Sequence, residues 1–591
     1  MSQEKTVVSK AEYGSDIVVD MLKAYGIEYV ALNPGATFRG LQDSVVNYGG
    51  NSNPEVIEVC HEEIAVAISH GYFKAKGKPM AVMLHDTVGL LHASMAMFNA
   101  FVDKVPVLVM GGTGPMDITK RRPWIDWIHT GLLQGNLVRE YVKWDDQPAS
   151  VSSFPESIMR GYRSAMIEPK GPVYICFDAD LQEQKLTEPM NLPRVELYPI
   201  PAPAQGDLEA MNKAARLLVD ASHPVILADA VGRNPNAVDS LVELAETLSA
   251  PVIDLGSRLS FPKTHPLDLT GSELRKDADL ILALDTIDLY GAISISDRQT
   301  RATKPLIRDD AKVIQISLRD LYTRSTITDF QKLPPVDLSI AADTSTAIPY
   351  LTSLCRDLIK KDPTRESVYR ERFVRLKAEH DDMKTKWLEQ AKSESNMKPI
   401  STAWLAHELW EVIKDEDWVV ASGSLSQRTR WEQRLWAYDR PNLSFGANGG
   451  AGLGYGLGAS IGVALANRGN GKIIIDLQPD GDLLMTTSAI WTATHHKIPI
   501  FVVMHNNRSY NNDYQHSQSI AKFRGRDPST AVIGNAIDSP PPDFATIARG
   551  FGAFGIGPVE DPSEVRDALR KGLEIVKKGN LALVDVCTQL M

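Results

Sequence analysis

The sequence predicts an α/β protein made of three doubly wound parallel-sheet units, and three observations predict it. Short apolar runs alternate with helical patterns along nearly the whole chain, the signature of parallel strands joined by crossover helices. Several runs, IFVVM (500–504) among them, are apolar at every position rather than every second one, which marks strands buried on both faces. The 591 residues also exceed what one core sustains, at about 100–200 residues per domain.

The first block runs from about Tyr13 to Asp180, with strands expected at YVALN (29–33), PMAVMLH (79–85), VPVLVMGG (105–112) and GPVYICFD (171–178). EEIAVAISHGYFKAK (62–76) reads as a helix, because Ile64, Ala67, Ile68 and Tyr72 recur at helical spacing. A Pro-rich stretch, LPRVELYPIPAPAQG (192–206), reads as an extended linker. The second block, 207–352, carries PVILADA (224–230), APVIDLG (250–256), ADLILALD (278–285) and KVIQISL (312–318). A charged helical segment at 360–396 leads to the third block, from Ser401 to Met591. Its expected strands are DWVVASG (417–423), KIIIDLQPDGD (472–482), PIFVVMHNN (499–507) and ALVDVCT (582–588).

Composition excludes several classes of function. Apolar residues make up 43% and charged ones 23%, ordinary for a soluble globular protein. A net charge of −11 with no basic tail argues against nucleic-acid binding. Cys60, Cys176, Cys355 and Cys587 form no CxxC pair, so neither a zinc site nor a disulfide framework is expected. The N-terminal MSQEKTVVSK has no apolar h-region, and no apolar run reaches the roughly 18 residues of a membrane span. A cytoplasmic protein is expected.

In doubly wound sheets, ligands sit at the carboxyl ends of strands. PDGDLL (479–484) follows KIIIDLQ, and HNNRSYNND (505–513) follows the next strand. Asp480 offers an ionised oxygen, Asn507 an amide oxygen, and the carbonyl of Ser509 a third donor, a set that suits Mg²⁺ completed by phosphate and water. Gly481 would let the backbone turn sharply after Asp480. Each motif alone is an ordinary turn or loop start; their placement on consecutive strands is what makes them specific.

That pairing resembles the GDG…NN metal signature of thiamine diphosphate enzymes, with Pro479 replacing the first glycine. The resemblance implies that Asp480, Asn507 and Ser509 hold Mg²⁺ against a diphosphate, with Gly481 and Asp482 in the cofactor site. In GANGGAGLGYGLGASIGVALA (446–466) it implies that Leu453 wedges the cofactor into its bent shape. Read without it, the segment is a close-packed helix with small residues on one face, or a helix N-terminus facing an anion. Ser424 and Ser426 of ASGSLSQ (421–427) fall where relatives contact the diphosphate.

The same resemblance places Glu62, in EVCHEEIAVAISHGYFKAKGKP (58–79), on the glutamate that activates the aminopyrimidine; Glu63 reads as a helix N-terminal charge. Around LNPGATFRGL (32–41) and the Leu-His of 84–85 the chain is similar to benzoylformate decarboxylase, with Ala36 in place of a serine. His85 then falls on an active-site histidine, and His92 lies where acetolactate synthases carry an asparagine. His129 and Gln134 sit near a Phe-Gln pair of those enzymes, while Trp124 and Trp127 read as packing residues. His495 and His496 read as cations at a helix C-terminus.

The resemblance spans nearly the whole chain and implies a pyrimidine-binding domain (1–190), a central domain (205–352) and a diphosphate-binding domain (385–591). It implies a homodimer at least, a homotetramer in fuller form, with Glu62 of one subunit facing the diphosphate site of another. The implied activity is acetolactate synthase-like carboligation of 2-keto acids. The alternatives are 2-keto acid decarboxylation with His85 as proton donor, C–C lysis or diketone hydrolysis, and a non-catalytic paralogue. Acetolactate synthases hold FAD in the central domain, but this block lacks a GxGxxG fingerprint, and the reading without FAD is preferred.

Overall fold

A computed structural model describes residues 5–297, 299–319, 332–426 and 429–590. The first sheet contains β1 (Tyr29–Leu32), β2 (Glu55–Glu58), β3 (Ala81–Leu84), β4 (Leu108–Thr113), β5 (Trp144–Asp146) and β6 (Val173–Asp178). Its order is β2-β1-β3-β4-β6-β5, parallel throughout. The second contains β7 (Pro224–Ala228), β8 (Val252–Asp254), β9 (Leu280–Leu284), β10 (Lys312–Ile316) and β11 (Leu338–Ile340), in the order β8-β7-β9-β10-β11. The third contains β12 (Trp418–Gly423), β13 (Ile473–Pro479), β14 (Phe501–Asn506), β15 (Phe554–Val559) and β16 (Ala582–Cys587), in the order β12-β13-β14-β16-β15. These two are parallel as well.

Every strand expected from the sequence is present, and each sheet gains edge strands that were not expected: β2, β5, β11 and β15. The stretch 472–482 splits, because the strand ends at Pro479 and Asp480 opens a helix. Part of the linker is also a strand, since Asn191–Pro193 pairs antiparallel with Thr6–Val8. Among the described residues no helix is long and apolar enough to cross a membrane.

Six helices matter for the site: α1 (Glu62–Lys76), α2 (Thr87–Val102), α3 (Arg365–Ser393), α4 (Gly456–Ala466), α5 (Asp480–Met485) and α6 (Asn511–Phe523). The charged segment at 360–396 is α3, whose Arg372 donates to Leu248 and Ala221 carbonyls and whose Lys384 donates to the Arg434 carbonyl. It thus ties the second unit to the third.

The first and third units meet where α1 crosses α4. A Cβ on Gly71 would stand 2.0 Å from the Ala459 carbonyl oxygen, and one on Gly462 would stand 1.9 Å from that of Ile68. Only glycine admits backbones this close. The small-residue reading of 446–466 therefore describes how α4 packs.

His496 meets the first unit differently from expectation. Its Nε2 accepts from the Glu58 amide at 2.8 Å, which requires an unprotonated nitrogen, and burial lowers its pKa. It is an acceptor joining two units rather than a cation on a helix end. Its neighbour His495 stacks on Trp491.

Candidate active site

The carboxyl ends of β1 and β3 and the N-terminus of α1 bring the first group together. Glu62 opens α1 and is only 4% exposed. Its Oε1 accepts from Asn33 Nδ2 at 3.1 Å, and its Oε2 lies 3.0 Å from His92 Nδ1 on α2. His92 is half-exposed and stacks on His61, whose Nδ1 caps α1 by accepting from the Glu63 amide. Burial lowers the His61 pKa and raises that of Glu63 to about 7.

His85 follows β3 directly, with Nδ1 2.8 Å from Thr37 Oγ1 and Nε2 3.2 Å from Asp86 Oδ2. His129 Nδ1 lies 3.2 Å from the same Asp86 oxygen, and the two rings stand edge to face. Asp86 is fully buried and caps α2 through Val88 N. Burial raises its pKa and lowers that of His85. Gly35 and Gly89 make room for this packing, since a Cβ would meet His85 at 2.7 Å and 3.0 Å respectively.

Gln134 does not join this group. It is buried and donates to the Gly112 carbonyl and Tyr174 hydroxyl, bracing the loop that carries His129. Trp124 and Trp127 were expected to pack, but they are 72% and 73% exposed.

The ends of β13 and β14 assemble the second group. Asp480 is 2% exposed, and its Oδ1 accepts from the Gly481 amide. The Ser509 amide is shared between Asn507 Oδ1 at 3.0 Å and Asp480 Oδ2 at 3.3 Å. Burial, which outweighs the backbone amides, pushes the Asp480 carboxyl up to about 6. A buried carboxylate beside an amide oxygen is the donor set a hard divalent cation takes.

Gly481 earns its place for a reason other than the expected turn. It lies inside α5, and a Cβ there would be 2.5 Å from the Tyr510 ring. Asp482 accepts from the Gly454 and Gly456 amides at 2.9 and 3.0 Å and from Gln478 Nε2 at 2.8 Å. The anion at the start of α4 is thus the chain's own carboxylate. Asp482 fixes one side of Leu453, while Asn99 donates to the Gly452 carbonyl on the other.

Ser424 is half-buried and Ser426 buried, with φ at 72° and its Oγ accepting from Thr429 N. Gln427, the last residue of ASGSLSQ, lies outside the described residues. Asn33, Thr37 and Asp86 were not singled out from sequence. For Asp86 the available signal was an Asp immediately before a helical pattern, the position of an N-cap.

Models of the thiamine pyrophosphate enzyme match the chain three times: the N-terminal TPP binding domain at 13–137, the central domain at 211–351 and the C-terminal TPP binding domain at 425–586. The chain belongs to the thiamine pyrophosphate enzyme family. It is 23% identical to an acetolactate synthase large subunit of Haemophilus influenzae, over 97% of this chain and 94% of that one. It is also 23% identical to an acetolactate synthase of Bacillus subtilis, over 97% and 92%.

Among solved structures, benzoylformate decarboxylase of Polynucleobacter necessarius superposes with a TM-score of 0.75 at 20% identity, covering 98% of this chain and 99% of that one. A 4-hydroxybenzoylformate decarboxylase of Rhodococcus jostii gives 0.73 at 20%, with the same coverage. These superpositions establish the shared fold.

Proposed function

We propose that the chain is a Mg²⁺-dependent thiamine diphosphate enzyme that removes CO₂ from a 2-keto acid and passes the remaining acyl unit to a second carbonyl, as acetolactate synthases do. The observation that carries this reading is the convergence of Asp480 and Asn507 on one amide at adjacent strand ends, on a fold that also buries Glu62. Thiamine diphosphate, when bound, would supply the nucleophilic and electron-sink chemistry for C–C bond cleavage and formation.

The chain's own groups do the rest. Asp480, Asn507 and the Ser509 carbonyl would hold Mg²⁺, whose charge would offset that of the diphosphate. Gly481, Ser424 and Ser426 would line the diphosphate, and Leu453, held between Gly452 and Gly454, would pack against the cofactor. Asp482 keeps that loop in place. Glu62 would hydrogen-bond the aminopyrimidine, and half-exposed His92, 3.0 Å away, links Glu62 to solvent. His85 and His129 present polar atoms to the substrate.

Val88, Leu91 and Met95 on α2, with Trp124, Trp127, Leu132 and Leu133, leave apolar surface exposed, which supports burial in a homodimer and then a homotetramer. The cytoplasm and the domain limits 1–190, 205–352 and 385–591 belong to the same reading.

FAD is left out of this reading because the central unit carries no GxGxxG fingerprint.

The test supplies pyruvate with an acceptor aldehyde, then separates the products. An acyloin or acetohydroxy acid is expected. Free aldehyde alone would replace carboligation with decarboxylation, and no turnover of any 2-keto acid would overturn the reading.

A further inference from the structure

Asp86 has one oxygen employed and one idle. Oδ1 caps α2, while Oδ2 is buried and accepts no hydrogen bond. Yet two imidazole nitrogens, His85 Nε2 and His129 Nδ1, each stand 3.2 Å from Oδ2. His129 Nδ1 is itself buried and unpartnered. Neither ring meets Oδ2 in hydrogen-bonding geometry, so two imidazole nitrogens and a carboxylate oxygen crowd together without satisfying one another. The three donor atoms lie within 4.8 Å of one another.

We propose that His85, Asp86 and His129 form a binding site for a divalent transition-metal ion, separate from the Mg²⁺ site at Asp480 and Asn507. Metal–donor distances of about 2.0–2.2 Å in a tetrahedron set donors about 3.3–3.6 Å apart, a small adjustment from the 3.2 Å found on either side of Asp86 Oδ2. Two imidazoles and one carboxylate select zinc-class or iron-class ions, whereas the all-oxygen set at Asp480 suits Mg²⁺.

The outer shell is present as well. Thr37 Oγ1 lies 2.8 Å from His85 Nδ1, placed to accept a hydrogen bond from it in the tautomer that frees Nε2 as a ligand. Three protein ligands leave coordination positions open, as in catalytic rather than structural sites. Those positions suit the keto and carboxylate oxygens of a 2-keto acid. That use rests on the proposed function, whereas metal binding does not.

Co²⁺ is the test ion. The full-length chain, stripped with chelator and free of thiamine diphosphate, is titrated with Co²⁺ and followed by visible absorption. One equivalent with an intense visible band is expected. Asp86→Asn and His129→Gln should each abolish the band and weaken binding about a hundredfold or more, and Thr37→Val should weaken it about 10–100-fold.

Asp480→Asn should leave the band intact, and circular dichroism melts of each variant establish folding. Absence of a band, its survival in both Asp86→Asn and His129→Gln, or its loss in Asp480→Asn would overturn the site. Failure of the thiamine reading would show instead in cofactor titrations, with the Co²⁺ band unchanged.

Discussion

Asp480 and Asn507 directly follow neighbouring strands and point their side-chain oxygens at one backbone N–H, that of Ser509. The amide is too small a positive group for both, and burial already pushes the Asp480 carboxyl up to about 6. A cation placed between them would relieve that penalty. Asp480→Asn should therefore weaken Mg²⁺-dependent retention of thiamine diphosphate at least about tenfold, roughly 1.4 kcal/mol. The melting midpoint of the unliganded chain should not fall. Equilibrium dialysis with and without Mg²⁺ checks the first effect, and calorimetry the second.

Glu62 is buried with one oxygen on Asn33 and the other on His92. Glu62→Gln keeps the shape and one acceptor but can no longer exchange a proton. Cofactor binding should persist, with turnover down about 10²–10⁴-fold, the usual contribution of a positioned acid–base group. His92→Gln should lower turnover less, since Glu62 itself remains. Steady-state kinetics beside cofactor titration separates the two effects.

The α1–α4 crossing has no room for a methyl group at Gly71 or Gly462. Gly462→Ala should cost about 1–3 kcal/mol or more, because backbone rather than a movable side chain stands in the way. The melting midpoint reads this directly. Gly579→Ala meets no atom nearby, but its φ is +86°, so backbone strain alone should make it the milder change.

Glu432 is a buried carboxylate whose Oε2 accepts from the Leu425 amide at 2.8 Å, and burial pushes it up to about 7 from an ordinary 4.5. The folded chain therefore holds this proton more tightly than the unfolded chain does. Its contribution to stability is full below pH 4.5 and is lost as pH rises through about 7. Glu432→Gln should flatten that part of the stability–pH curve, as thermal melts across the same window will read.

The buried strands were legible in the sequence because strands covered on both faces are apolar throughout, as in IFVVM. The edge strands were not. FGIGPV (554–559) carries two glycines and a proline, which read as a turn, and EVIE (55–58) is half charged. Within the candidate site, Asp480 and Asn507 stood out because motif and strand end coincide, whereas Glu62 was singled out by resemblance alone. Asp86 was hidden, since its capping role is local but its meeting with His129 depends on how the loop at 121–135 folds back over β4. The exposure of Trp124 and Trp127 was likewise invisible, because a tryptophan's burial depends on which chain covers it.

Calorimetric titration of the metal-free chain with thiamine diphosphate, in the presence and absence of Mg²⁺, bears on everything else. One binding event per chain that requires Mg²⁺ is predicted, and it should disappear in Asp480→Asn while surviving in Glu62→Gln. No binding with Mg²⁺ present, or equal binding in Asp480→Asn, would contradict the assignment of this site.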